Sequence, residues 1–224
     1  MPDTHPPYLY PPYKSTLLRA PRQTLVRVPP SPLDTAGPVF TKRFVRDSEA
    51  DLTQWGKSAP LGEKMILVGR VLDDAGRPVR NALVELWQCN AAGRYAHPVD
   101  QHDAPLDPNF LGRGQVLTDD AGEFRFVTIK PGAYPWRNQP FGWRPAHIHF
   151  SLFGRSNAQR LITQMFFPGD PLLPLDPIYN SPPDPAARTR MVASLELESG
   201  IEEVAMGYRF EIVLGGRRAT PMGY

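Results

Sequence analysis

The chain has 224 residues, with 25 lysines and arginines against 23 aspartates and glutamates, for a formal net charge of +2. That length holds one large domain or two small ones, and the balanced charge excludes a nucleic acid or an anionic membrane as a partner held by bulk electrostatics. A single cysteine, Cys89, excludes an internal disulfide and a cysteine-based zinc cluster.

The N-terminal residues lack a charged segment followed by an apolar one, and no apolar run approaches the ~20 residues needed to cross a bilayer. The expectation is a cytoplasmic protein. Residues 1–45 form a proline-rich arm, with Pro6-Pro7, Pro11-Pro12 and Pro29-Pro30, which predicts extended, non-helical backbone. The arm also carries Tyr8, Leu9, Tyr10, Tyr13, Leu17, Leu18, Leu25 and Val26. So many apolar residues predict an ordered arm lying on its own domain or on a partner rather than a loose leader.

Ser48 to Trp55 predicts a short helix capped by Ser48. Beyond it the pattern turns to strands, and residues 46–224 read as one domain. Strands are predicted at Met65–Leu72, Val79–Gln88, Gln115–Thr118, Glu123–Ile129, His147–Phe153, Leu161–Phe167 and Tyr208–Leu214. Asp-Asp-Ala-Gly occurs twice, at 73–76 and 119–122, each time between strand-like runs, which predicts hairpin turns with glycine at positive φ. A helix capped by Asp184 is predicted over 185–195. Many short strands with few short helices predict an all-β sandwich. The long loops 89–114 and 130–145 are the expected place for function.

His147 and His149 stand one residue apart in a predicted strand, so both imidazoles share one face. Neutral imidazole is the commonest protein metal ligand, although a solvated strand face carries such a pair equally well. A third histidine would have to come from His97 or His102, and a facial triad from one of 23 acidic residues. The loops also offer tyrosines, Tyr95 and Tyr134. A hard trivalent cation can hold a phenol as phenolate near neutral pH, as a metal acidifies bound water. Two tyrosinates and a hydroxide would cancel the charge of Fe(III), and two neutral imidazoles would complete the shell. Taken singly, Tyr134 reads as readily as a loop aromatic packed beside Trp136.

The wider context consists of Tyr-Lys-Ser-Thr (13–16), Arg-Ala-Pro-Arg-Gln (19–23), Gly-Pro-Val-Phe (37–40), Gly-Arg-Val-Leu-Asp (69–73), Leu-Val-Glu-Leu-Trp-Gln (83–88) and Ala-Gly-Arg-Tyr (92–95). These are followed by Ala-Pro-Leu-Asp-Pro-Asn-Phe (104–110), Ile-Lys-Pro-Gly-Ala-Tyr-Pro-Trp-Arg-Asn (129–138), Trp-Arg-Pro-Ala-His-Ile-His-Phe (143–150), Leu-Ile-Thr-Gln (161–164) and Tyr-Arg-Phe-Glu-Ile-Val-Leu (208–214). In this order the chain resembles the β-subunit family of the protocatechuate 3,4-dioxygenases, which are intradiol ring-cleaving enzymes.

The resemblance implies a non-haem Fe(III) site with Tyr95, Tyr134, His147 and His149 as ligands. Tyr134 would be the axial ligand that leaves when substrate binds and takes up a proton. Arg144 would stabilise anionic character in the bound ring. Tyr13 would lie near the substrate carboxylate, and Trp136, Gln164 and Ile178 would line the pocket. The implied reaction joins O2 to protocatechuate, giving 3-carboxy-cis,cis-muconate in the β-ketoadipate pathway of aromatic catabolism. An α subunit that lacks the iron ligands would complete the pocket in αβ protomers of a larger oligomer.

Departures from the family pattern are Cys89, where a small residue is expected, the segment Asp100–Asp103, which removes His102 as a ligand, and the tip at 139–142. Rival readings are an intradiol enzyme for catechol or hydroxyquinol, a non-catalytic subunit, and a transthyretin-like sandwich that binds only a partner.

Overall fold

The alternating strands close into two four-stranded sheets packed face to face. In the computed structural model, described for residues 4–29, 31–37, 40–41, 43, 45–137, 142–154 and 160–223 (backbone only at 33 and 35), ten strands are present. They are β1 (Lys64–Leu72), β2 (Leu83–Trp87), β3 (Arg113–Leu117), β4 (Glu123–Ile129), β5 (Tyr134–Pro135), β6 (Trp143–Arg144), β7 (His147–Phe153), β8 (Arg160–Phe166), β9 (Ser194–Leu195) and β10 (Met206–Val213). One sheet has the order β4-β1-β10-β9 and the other β3-β2-β7-β8, while β5 and β6 form a separate two-stranded ribbon. β1 runs parallel to β10, and every other named pair is antiparallel.

The core lies between the two sheets and follows the period of two. Met65, Leu67 and Val71 of β1, Phe124 and Phe126 of β4, and Tyr208, Phe210 and Ile212 of β10 face Val84 and Leu86 of β2 and Ile148, Phe150 and Leu152 of β7. Each large side chain buried here contributes roughly 1.5–3 kcal/mol. Ile148 and Phe150 point into this core, so His147 and His149 must point to the outer face of their sheet.

Several expectations on local structure are corrected. The two Asp-Asp-Ala-Gly segments do form tight turns, with Gly76 and Gly122 at φ of 77° and 75°. They do not join paired strands. Each carries the chain from one sheet to the other, since β1 and β4 belong to one sheet and β2 and β3 to its partner. Only the single bridge Leu72–Pro78 follows the first turn.

Ser48–Trp55 is not a helix capped by Ser48. It is two 3-10 turns, Asp47–Ala50 and Leu52–Gln54, the second capped by the Asp51 carboxylate, which accepts from Thr53 N. A mid-segment Asp whose side chain bonds the nearby backbone favours this tighter form. The arm is not wholly extended either. Short helices α1 (Thr16–Arg19) and α2 (Pro32–Thr35) occur, the second with proline at its first position, where no amide donor is lost. α3 covers only Pro185–Thr189, with Asp184 as the predicted cap accepting from Ala186 N. Beyond it, residues 191–193 pair with Phe166 of β8 and Ser194–Leu195 pairs as an edge strand with β10, so the predicted helix cannot continue.

The arm touches the domain at chosen points. Thr4, Tyr13 and Thr16 are buried, and Met222 N donates to His5 Nδ1. Leu18, Val26 and Val28 remain at least 80% exposed, so much of the arm's apolar surface is uncovered in the single chain. Among the described residues no helix is long and apolar enough to cross a membrane.

Candidate metal centre

The site is built on the outer face of the β3-β2-β7-β8 sheet, at the end where β7 begins. His147 and His149 project side by side there, with their Nε2 atoms 3.2 Å apart. His147 Nδ1 lies 2.7 Å from the Pro145 carbonyl, so Nδ1 carries the proton and the Nε2 lone pair faces the site. His149 is held by a flat stack on Trp87, directly across the strand pair.

The two long loops bring the tyrosines. Tyr134 lies in the β5-β6 ribbon, paired with Arg144, so ten residues of chain fold back to set phenol and guanidinium together. Its hydroxyl is 3.2 Å from His147 Nε2. Tyr95, from the other loop, meets the Tyr134 ring edge-on at 5.5 Å and lies 6.3 Å from the His149 ring. The loops are held in contact by Gly132 N donating to the Asn90 carbonyl, while the Asn90 side chain braces its own loop by accepting from Ala92 N and Arg94 N. At Gly93, φ is +79°, and an added Cβ would strike the Ala133 carbonyl.

Electrostatics suit a cation. Burial, followed by neighbouring positive charge, holds both imidazoles well below their usual range, so they are neutral and able to donate a lone pair. Burial pushes both phenols up. The Tyr95 hydroxyl oxygen is buried and makes no well-formed hydrogen bond, with the Tyr134 phenol beside it. A buried hydroxyl without a partner costs ~1–3 kcal/mol and asks for an explanation. A cation among these four side chains would supply one and would lower both phenols instead. Among the described residues no group of three His, Cys, Asp or Glu side chains is placed to hold a metal. The phenols that stand beside the histidine pair are those of Tyr134 and Tyr95. His97 accepts from Val99 N in its own loop, and His102 packs against Trp143.

Arg144 is 2% exposed and points Nη1 at the Tyr134 hydroxyl (3.4 Å) and at His147 Nε2 (2.9 Å). Its Nη2 donates to Gln164 Oε1 at 2.6 Å, the partner that a polar residue inside β8 required. Trp136 lies under the guanidinium, 5.0 Å from Cζ to ring centroid, and Tyr13 of the arm packs on Trp136 at 5.0 Å. Ile178 is buried, and its amide donates to Asp176. The structure thus gathers Tyr13, Tyr95, Tyr134, Trp136, Arg144, His147, His149 and Gln164 through mutual contacts, and joins Ile178 through Asp176. Asn138 and the tip residues 139–141 lie outside the described residues. Cys89 is buried and donates to the Gly132 carbonyl at 3.3 Å, a packing role between the loops.

Asp176 escaped the sequence reading. It is fully buried and forms an ion pair with Arg144, Oδ2 to Nε at 2.8 Å. Its only signal in the sequence is an acidic residue inside the apolar, proline-rich run Pro-Leu-Leu-Pro-Leu-Asp-Pro-Ile, which would have to be paired if buried.

The sequence profile of the family described as Dioxygenase matches residues 35–216, and that described as Protocatechuate 3,4-dioxygenase beta subunit N terminal matches residues 2–31. A protocatechuate 3,4-dioxygenase beta chain from Burkholderia cepacia is 53% identical over 98% of this chain and 94% of its own length. A protocatechuate 3,4-dioxygenase alpha chain from Pseudomonas putida is 30% identical over 86% of this chain and 95% of its own. Among solved structures, 3-chlorocatechol 1,2-dioxygenase from Rhodococcus opacus 1CP superposes with a TM-score of 0.57 at 26% identity, covering 75% of this chain and 65% of that one. The chain belongs to the dioxygenase family and, within it, to the β chains of the protocatechuate 3,4-dioxygenases.

Proposed function

We propose that the chain is the catalytic β subunit of an intradiol dioxygenase that cleaves protocatechuate with O2 to 3-carboxy-cis,cis-muconate, in aromatic catabolism by the β-ketoadipate route. Tyr95, Tyr134, His147 and His149 are assigned as the ligands of a non-haem ferric ion. The observation that carries this reading is the buried Tyr95 hydroxyl, without a well-formed hydrogen bond, beside Tyr134 and the two imidazoles.

A ferric ion held by these four side chains would supply Lewis acidity toward a catechol. The remaining work belongs to the protein. Two phenolates lower the charge of the site, and two neutral imidazoles add none. Tyr134, the phenol in reach of both Arg144 and His147, is the ligand placed to take up a substrate hydroxyl proton as a general base. Arg144 cannot lose its proton at working pH, and its Nη1 is aimed at the ligand cluster, where it stabilises negative charge on the ring. Tyr13 and Trp136 form an aromatic wall beside Arg144, and Tyr13 is assigned to the substrate carboxylate. Gln164 orients the guanidinium, and Ile178 adds apolar wall.

The same reading divides the chain into an arm over residues 1–45 and a catalytic sandwich over 46–224. It assigns an α subunit as partner, in αβ protomers of a larger oligomer. A relative named as an α chain and the uncovered apolar residues of the arm support this pairing. It places the enzyme in the cytoplasm.

The test is purification with the α partner, followed by iron analysis, a visible spectrum, and steady-state rates on protocatechuate, catechol and hydroxyquinol. The expected result is a red-brown, iron-containing protein with the highest kcat/KM on protocatechuate. A colourless, iron-free protein after iron supply overturns the metal reading. A wide margin in favour of unsubstituted catechol overturns the substrate.

A further inference from the structure

The guanidinium of Arg144 is planar, so fixing one edge fixes the direction of the other. Its Nε donates to Asp176 Oδ2 at 2.8 Å and its Nη2 to Asp176 Oδ1 at 3.3 Å, with Gln164 Oε1 accepting from the same Nη2 at 2.6 Å. Only Nη1 is left to face Tyr134 and His147. Asp176 is itself immobilised. Oδ1 also accepts from the amides of Ile178 (2.9 Å) and Tyr179 (2.8 Å), and the Asp176 carbonyl accepts from Asn180 Nδ2 at 2.8 Å. One carboxylate therefore anchors both the cation above the ligand cluster and the turn that carries Ile178.

We propose that Asp176 is a positioning residue for ring cleavage: its carboxylate, locked by the Ile178 and Tyr179 amides, sets the direction in which Arg144 presents Nη1. This inference rests on the functional reading above. The rival role is charge neutralisation alone, since a buried arginine needs a counter-ion wherever it points. The two roles differ in what happens when Arg144 is also changed. A positioning residue has little left to do once its arginine is gone, so the two losses are not multiplicative.

The experiment is a double-mutant cycle on the iron-loaded αβ enzyme with Asp176→Asn, Arg144→Lys and the pair. Asp176→Asn is expected to lower kcat by about 10-fold or more, with KM for protocatechuate within about 3-fold of the parent, in keeping with the loss of an interaction made mainly in the transition state. Iron content and the visible band should be unchanged. In the Arg144→Lys background the same change should cost less than about 2-fold. On the iron-free chain, the urea midpoints of the same four proteins should show the same coupling.

Equal fold-losses in both backgrounds overturn the proposal, as does a rise in KM at parental kcat. Should Asp176→Asn fail to fold or to take up iron, Asp176→Glu decides. It keeps the charge but moves the carboxylate by one methylene. A lowered kcat at a parental urea midpoint supports positioning, and a parental kcat overturns it. A parent enzyme inactive on every catechol would sink the functional reading. An active parent with multiplicative losses would sink only the role of Asp176.

Discussion

The indole of Trp87 lies flat against the imidazole of His149, with ring centroids 4.8 Å apart and planes 5° from parallel. The two residues are direct partners in the β2-β7 register, so the sheet itself sets the stack. A stacked ring resists rotation, so on the proposed iron assignment His149 would stay aimed. Trp87→Leu is expected to leave the sandwich folded and to weaken iron retention by ~10–100-fold, the range for residues that orient metal ligands. Competition with a chelator measures this, and parental retention would show that the stack does not orient His149.

Tyr95 and Tyr134 should respond differently to loss of their hydroxyls in the iron-free chain. The Tyr95 hydroxyl has no well-formed hydrogen bond and only the Tyr134 phenol beside it, so Tyr95→Phe should leave that form at least as stable as the parent. The Tyr134 hydroxyl contacts His147 and Arg144, so Tyr134→Phe should destabilise it by ~0.5–1.5 kcal/mol. In the iron-loaded enzyme both changes should alter the visible band and slow turnover sharply. Urea unfolding with and without iron separates the two regimes. Equal destabilisation of both iron-free variants would contradict the reading of Tyr95.

Gly93→Ala is expected to uncouple the ligand loops. The new Cβ would strike the Ala133 carbonyl, next to Tyr134, and φ of +79° disfavours any residue with a Cβ. Iron content should fall steeply while the far-ultraviolet β signal persists, because the clash lies in the loops rather than in the core.

Burial pushes the Cys89 thiol up to about 12. An unfolded thiol ionises near ~8.5. Between these two values the folded chain holds a proton that the unfolded chain has released, so the thiol's contribution to stability is intact below the lower value and lost as pH rises toward the higher one. A disulfide reagent at pH 9.5 should leave the folded protein unlabelled and label it promptly in denaturant. Rapid labelling of the folded protein would contradict the burial.

The strands were legible because a half-buried strand repeats every two residues, and β1, β4, β7, β8 and β10 fall within two residues of their predicted bounds. Their pairing was not. Both Asp-Asp-Ala-Gly turns carry hairpin chemistry, yet each crosses between sheets, because turn residues set local φ and ψ and not the sheet a strand joins. The helix predicted over 185–195 ends at Thr189, because residues 191–193 pair with Phe166 and 194–195 with β10, contacts more than ten residues away. The turns at 47–54 went unread because an aspartate that bonds its own backbone competes with helix.

By itself the sequence determined that His147 and His149 share a face, because i and i+2 on any strand do so, and which neutral donors and phenols the chain possesses. Its resemblance to a family named the four candidate ligands together. Only the tertiary structure decided that the pair lies on the outer face of the sandwich, that the β5-β6 ribbon brings Tyr134 to Arg144, and that Asp176, thirty-two residues further on, closes on the same guanidinium. Periodicity acts between neighbours in the chain. Loop closure and the pairing of buried charges act between residues that only the packed fold brings together.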